Sequence, residues 1–210
     1  MFIEFLFSLL PLLVHSHCYS KSSQLWICNN RSTIDDYQTI LINEKFERFF
    51  LKNYHLSVFE IDQYPLTLRL FNASNNQFER IRITSKNRHH GNLRQLILQS
   101  NGLRYFDRRN VILPDSLEII SLANNQLEVL DARIFLRLKN LTKLDLRNNQ
   151  LKRILPQLLL TMTIRLNNNP LNCRCTPDFY RIICENASNV KDSQVSSVDF
   201  ACERIRIRRI

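Results

Sequence analysis

The chain has 210 residues, with 29 Lys and Arg against 19 Asp and Glu, a formal charge of +10, six Cys and two Gly. That length holds one domain or two small ones, and a hydrophobic fraction of 44% supports a packed core rather than disorder. Gly91 and Gly102 cannot build a phosphate-cradling loop, a dinucleotide fingerprint, a nucleophile elbow or a collagen repeat.

The chain opens MFIEFLFSLLPLLVHSHC. Phe5 to Val14 is an apolar run of signal-peptide length, too short to span a bilayer. Val14 and Ser16 suit the positions before a cleavage site, so residues 1–16 read as a signal peptide cut after Ser16. Glu4 and the lack of a basic residue make the n-region atypical, and a buried apolar segment is the alternative. No later stretch approaches the length of a membrane span, so a secreted chain without a transmembrane anchor is expected.

All six cysteines follow that cut: Cys18, Cys28, Cys173, Cys175, Cys184 and Cys202. An even set behind a signal peptide argues for disulfides rather than metal or redox chemistry. Cys173-Arg-Cys175 also lacks the C-x-x-C spacing of zinc sites. The 144 residues between Cys28 and Cys173 contain none, which suggests two capped ends around a repetitive middle.

That middle carries L-x-x-L-x-L-x-x-N-x-L-x-x-L. Leu117-Ile120-Leu122-Asn125-Leu127-Leu130 fits it, and so do the sets beginning at Leu93 and Leu141, 24 residues before and after. Weaker copies begin at Phe46, with Tyr54 in place of Asn, at Leu68, and at Thr161, where the copy is shortened. Of 29 apolar template positions, 28 are apolar, where composition alone would give about 13. Positions 4 and 6 share one face of a short strand, and stacked coils bury one another's apolar faces. The Asn at position 9 is expected to bond backbone groups of its own and the adjacent coil. Phe135 at position 19 should fill the opposite wall, with Val111 and Leu159 in equivalent places.

These residues resemble the leucine-rich repeat family over roughly 46–171. The resemblance implies an α/β leucine-rich repeat solenoid, a curved horseshoe with a parallel sheet on its concave face. It further implies a cysteine-containing N-terminal cap over 17–45, about six repeats over 46–171, and a cysteine-rich C-terminal cap over 172–210. NNNPLNCRC, from Asn167 to Cys175, looks like the opening of the family's extracellular C-terminal cap. Four cysteines allow three pairings there, and the resemblance favours Cys173–Cys202 with Cys175–Cys184. Cys18 and Cys28 would close the N-terminal cap. The plan is similar to insect leucine-rich immune proteins and to fragments of Toll-type ectodomains. Their coiled-coil assembly is not expected here, since the 210 residues carry no such segment.

On the concave face, positions 2, 3, 5, 7 and 8 would point outward. Six strands would make it about 24 Å wide. Leu70, Ile97 and Ile119 would form a diagonal of exposed apolar residues, with Gln99 and Ser121 beside them. Lys143, Asp145, Arg147 and Arg165 would form a charged group alongside. An apolar centre flanked by charge suits a protein-binding patch, whereas scattered exposed apolar residues are normal on any surface. The expected partner is a protein or a microbial surface ligand. No nucleic acid and no cofactor is expected.

Sequons stand at Asn30, Asn72, Asn140 and Asn186, and a glycan on Asn72 would cover the N-terminal part of the sheet. Two basic segments offer an alternative, a glycan- or anionic-membrane-binding effector. One is Arg80, Arg82, Lys86, Arg88, His89, His90 and Arg94; the other is the Arg-Ile tail from Glu203. Sulfated glycans, anionic lipid or a microbial surface would be the ligand, and a solvated basic face is the plainer explanation. His89-His90 has no third ligand nearby in sequence for a metal. No motif sets a nucleophile beside its base, so an enzyme is not expected. A structural matrix protein or a truncated receptor-like product is a further alternative.

Overall fold

The computed structural model describes residues 18–29, 41, 45–52, 54, 57–61, 63–84, 91–131, 133–154, 158 and 162–172. In chain order the elements begin with β1 (Cys18–Ser22), β2 (Leu25–Asn29), β3 (Arg48–Lys52), β4 (Val58–Ile61), β5 (Leu70–Asn72) and β6 (Arg80–Thr84). Next come β7 (Gln95–Ile97), β8 (Tyr105–Phe106), β9 (Val111–Ile112), β10 (Ile119–Ser121) and β11 (Val129–Leu130). A short helix α1 (Arg133–Leu136) and strands β12 (Lys143–Asp145) and β13 (Thr163–Arg165) complete them.

Each repeat places positions 3–5 in one strand of a single sheet, ordered β1-β2-β3-β5-β7-β10-β12-β13. From β2 onward every pairing is parallel, and position 3 aligns without slippage through Arg48, Leu70, Gln95, Ile119, Lys143 and Thr163. The chain is therefore a parallel β-solenoid, as the repeat spacing predicts. The sheet is wider than six repeats supply. β2, preceding the first repeat, pairs with β3 and carries the antiparallel β1 on its other side, giving eight strands and a width of about 34 Å. A disulfide joins Cys18 to Cys28 across the β1–β2 hairpin, as expected of the N-terminal cap.

The return limb of the coils was not anticipated as sheet. Strands β4, β6 and β9 form a parallel three-stranded sheet, and β8 pairs with β11. Val58-Phe59-Glu60-Ile61 and Arg80-Ile81-Arg82-Ile83 bury Phe59, Ile61, Ile81 and Ile83 and turn Val58, Glu60, Arg80 and Arg82 outward, the period-two pattern of a half-buried strand. Helix α1 occupies this limb in the fourth repeat and buries Ile134 and Phe135. Phe135 and Val111 fill the wall as position 19 predicts; Leu158 is also buried there, and Leu159 lies outside the described residues.

The core follows the template. Every described apolar template residue is buried except Leu130, Ile164 and Leu171, which are half-buried and packed against it. Its N-terminal half is aromatic. Ring contacts run from Trp26 to Phe46, Phe49, Phe71, Phe59 and Phe78, with centroids 5.0–6.4 Å apart. These separations suit tilted or offset rings. From Leu93 onward leucines take over, with Phe106 stacked on Phe135 at 5.7 Å.

Asparagine at position 9 closes the backbone account. Asn125 Nδ2 donates to the carbonyls of Leu122 and Ala123 in its own coil and of Leu98 in the preceding coil. Asn125 Oδ1 accepts from the Leu103 N–H at 3.1 Å. Asn101, Asn149 and Asn169 repeat the arrangement, and Asn76 does so with the Tyr54 N–H. The residue before each of these is left-handed: Asn75, Ser100, Asn124, Asn148 and Asn168 have φ between 55° and 60°. Asparagine tolerates that region better than most side chains, which explains the Asn-Asn pairs. Position 8 thus belongs to a turn rather than to the strand face.

Candidate functional site: the concave sheet face

The outward face of the sheet is built from rows at positions 3, 5 and 7. Row 5 runs Ile27, Phe50, Asn72, Ile97, Ser121, Asp145 and Arg165, and row 3 runs parallel to it from Leu25 and Arg48. Leu70, Ile97 and Ile119 are half-buried on β5, β7 and β10. They form a zigzag between rows 3 and 5 rather than a straight diagonal. On the N-terminal side of Asn72, row 5 adds the apolar Phe50 and the buried Ile27. These two were missed because β2 lies outside the repeat template; the outward Leu25 and Ile27 alternating with Trp26 and Cys28 were the available signal.

Ser121 differs from its neighbours on this face. It is only 7% exposed, because its short side chain lies in register between Ile97 and Asp145. Its Oγ donates to Gln99 Oε1 at 3.4 Å, so Ser121 forms the floor of the strip rather than an exposed contact. Gln99 is half-buried.

The C-terminal end of the face is charged. Arg147 grips Asp145 with its Nε and a terminal nitrogen, the latter 2.7 Å from Oδ2. Burial of Asp145 would raise its carboxyl pKa. The side-chain and backbone hydrogen bonds from Arg147, with the charges of Arg147 and Arg165, outweigh this and hold it below the ordinary carboxylate value. The same pairing raises the Arg147 guanidinium. Lys143 and Arg165 are exposed beside the pair. At the other end Arg48 and Lys52 are exposed, and Lys52 Nζ sits 5.9 Å from the Phe50 ring centroid. Phe50 and Lys52 line a shallow groove of ≈300 Å³ with Asn72, Ser74 and Asn75. Among the described residues, rows 3, 5 and 7 thus carry five cationic side chains, Arg48, Lys52, Lys143, Arg147 and Arg165, against one carboxylate, Asp145, and position 2 adds Arg69 and Arg94 together with Glu47 and Glu118.

Asn72 lies on this face, where its Oδ1 accepts from the Ser74 N–H at 3.0 Å and Ser74 Oγ at 2.6 Å. Asn140 is exposed and donates to the Asp115 carbonyl at 2.9 Å. Asn30, Asn186, Cys173, Cys175, Cys184 and Cys202 lie outside the described residues, as do the signal segment and the Arg-Ile tail. In the basic loop Arg80 and Arg82 are exposed on β6; Arg82 lies 3.8 Å from Glu60, and Arg94 pairs with Glu118. Lys86, Arg88, His89 and His90 lie outside the described residues. A second groove, of ≈550 Å³, lies beside β8 and β11. Exposed Tyr105 and Val129 line it with Asp107, Arg108, Arg109 and Asp131. Its cations are paired: Arg108 with Asp131 and Arg109 with Asp107. Among the described residues, no cluster of His, Cys, Asp or Glu could hold a metal ion, and no helix is long and apolar enough to cross a membrane.

Residues 115–171 match the leucine-rich repeat family. Among solved structures, the chain is similar to human 5T4 (Wnt-activated inhibitory factor 1, trophoblast glycoprotein), at 19% identity and a TM-score of 0.40 over 75% of this chain and 81% of that one. No curated protein matches. The fold is a leucine-rich repeat solenoid with a disulfide in its N-terminal region.

Proposed function

We propose that the protein is a secreted, non-enzymatic recognition module that binds a protein partner across the concave sheet face. The observation that carries this reading is the apolar group of Leu70, Ile97 and Ile119, with Phe50 and Ile27 beyond Asn72, bracketed by cations at both ends. Such a strip suits an extended partner segment with an apolar centre and acidic flanks. Secretion is supported by the Cys18–Cys28 disulfide, a bond that persists in oxidising compartments. A role in innate immunity rests on the resemblance to insect leucine-rich immune proteins. A microbial surface ligand with the same acidic and apolar groups would satisfy the same face.

Peptide display against the folded protein tests the reading. Enriched sequences should carry an apolar core between acidic residues and lose binding to Ile97→Asp plus Ile119→Asp. Raising salt should weaken them through the flanking charges. Enrichment unaffected by that double variant would refute the concave site. Retention on heparin with no peptide enrichment would favour the basic-effector alternative.

A further inference from the structure

We infer that Asn101-Gly102 is a latent deamidation site, shielded by the folded ladder and released by local unfolding. It is the sole Asn-Gly pair in the chain. In an Asn-Gly pair, the glycine backbone nitrogen attacks the asparagine side-chain Cγ. A new C–N bond closes a succinimide and ammonia leaves; water then opens the ring to aspartate or isoaspartate. Glycine promotes the attack because it has no side chain to hinder the approach.

The fold blocks both reactants. Gly102 N–H donates to the Phe78 carbonyl at 2.8 Å, which ties down the nucleophile. Asn101 Nδ2 donates to Ala73 and Leu98 carbonyls at 3.0 Å and to Gln99 at 3.3 Å, and its Oδ1 accepts from the Phe78 N–H. Rotating Cγ toward the Gly102 nitrogen breaks these bonds. The product cannot resume the role. A carboxylate at position 101 would face the Ala73 and Leu98 carbonyls with acceptors against acceptors, and isoaspartate would lengthen the backbone inside the turn. Each modified molecule therefore loses one rung of the ladder, and unfolding of this coil is recorded irreversibly.

The glycine itself is not demanded by the fold. Positive φ occurs at Ser100 and not at Gly102. A Cβ at Gly102 would meet Phe78 O at 3.4 Å and Glu79 Cγ at 3.6 Å, which is contact rather than clash. The equivalent residues in the flanking coils are Gln77, Gln126 and Gln150.

The test is peptide mass mapping of the purified full chain, incubated at neutral pH with and without denaturing urea. Asn101 should be the first asparagine to gain the mass of deamidation in urea. It should react at least about tenfold more slowly when folded, which corresponds to about 1.4 kcal/mol or more of protection. Gly102→Gln, or Gly102→Ala if the longer side chain perturbs folding, should abolish the fast event and leave circular dichroism unchanged. Equal rates with and without urea would overturn the inference. So would a fast event that persists at Asn101 in both variants.

Discussion

Asn149 shows how one side chain holds two coils together. Its amide donates to the Leu122, Leu146 and Arg147 carbonyls while its Oδ1 accepts from the Leu127 N–H. Alanine there would strand buried polar groups on both coils, so Asn149→Ala should cost about 2–4 kcal/mol in urea unfolding, more than a typical surface change. Ser100 presents the opposite case. It holds φ of 57° where four other coils use asparagine. Ser100→Asn should stabilise by about 0.5–1 kcal/mol, whereas Ser100→Val should destabilise by about 1–3 kcal/mol, both read from urea midpoints. Asp145 gives the acid response. Its folded carboxyl lies below the ordinary value, so its contribution is complete above the unfolded pKa of about 3.9. That contribution fades as pH falls through the folded value. Urea midpoints measured from about pH 6 down to about pH 2 should therefore fall less steeply in Asp145→Asn than in wild type.

Among elements, the three central strands and their spacing were legible because leucine and asparagine mark every turn of the coil. Buried position 9 could be assigned a bonding role from chemistry alone, since an amide offers two N–H donors and a carbonyl acceptor to backbone groups on both coils. Three features were not read. Strand β2 belongs to no repeat, so its outward residues fell outside the template. The return-limb strands β4, β6 and β9 occur where coils vary in length, and beyond position 14 the template marks only position 19, which gives burial and not strand pairing. The burial of Ser121 depends on neighbours from β7 and β12 rather than on its own identity. The aromatic first coils carry a further consequence. Phe59 packs on both Phe71 and Phe78, with ring centroids 5.5 and 5.0 Å away. Phe59→Ala should cost about 3–5 kcal/mol of unfolding free energy, and combined with Phe78→Leu its effect should be non-additive by about 0.5–1.5 kcal/mol.

At the scale of the whole molecule, a regular sheet turns six irregular repeats into one surface. Register is kept strand by strand, so residues 24 apart in sequence lie side by side, and the apolar strip with its cationic ends exists only after the coils stack. The opposite wall presents paired charges at the β8–β11 groove, where Arg108 and Arg109 are matched by Asp131 and Asp107. Recognition on the concave side should therefore fail when its apolar rows are broken and survive changes on the return limb. The direct measurement is quantitative recovery of extracellular partners by the full chain. Wild type is compared with Ile97→Asp plus Ile119→Asp and with Arg80→Glu plus Arg82→Glu, all three shown to have the same circular dichroism. The first pair should lose the partners and the second should keep them. Equal recovery by all three, or loss confined to the arginine pair, would contradict the account.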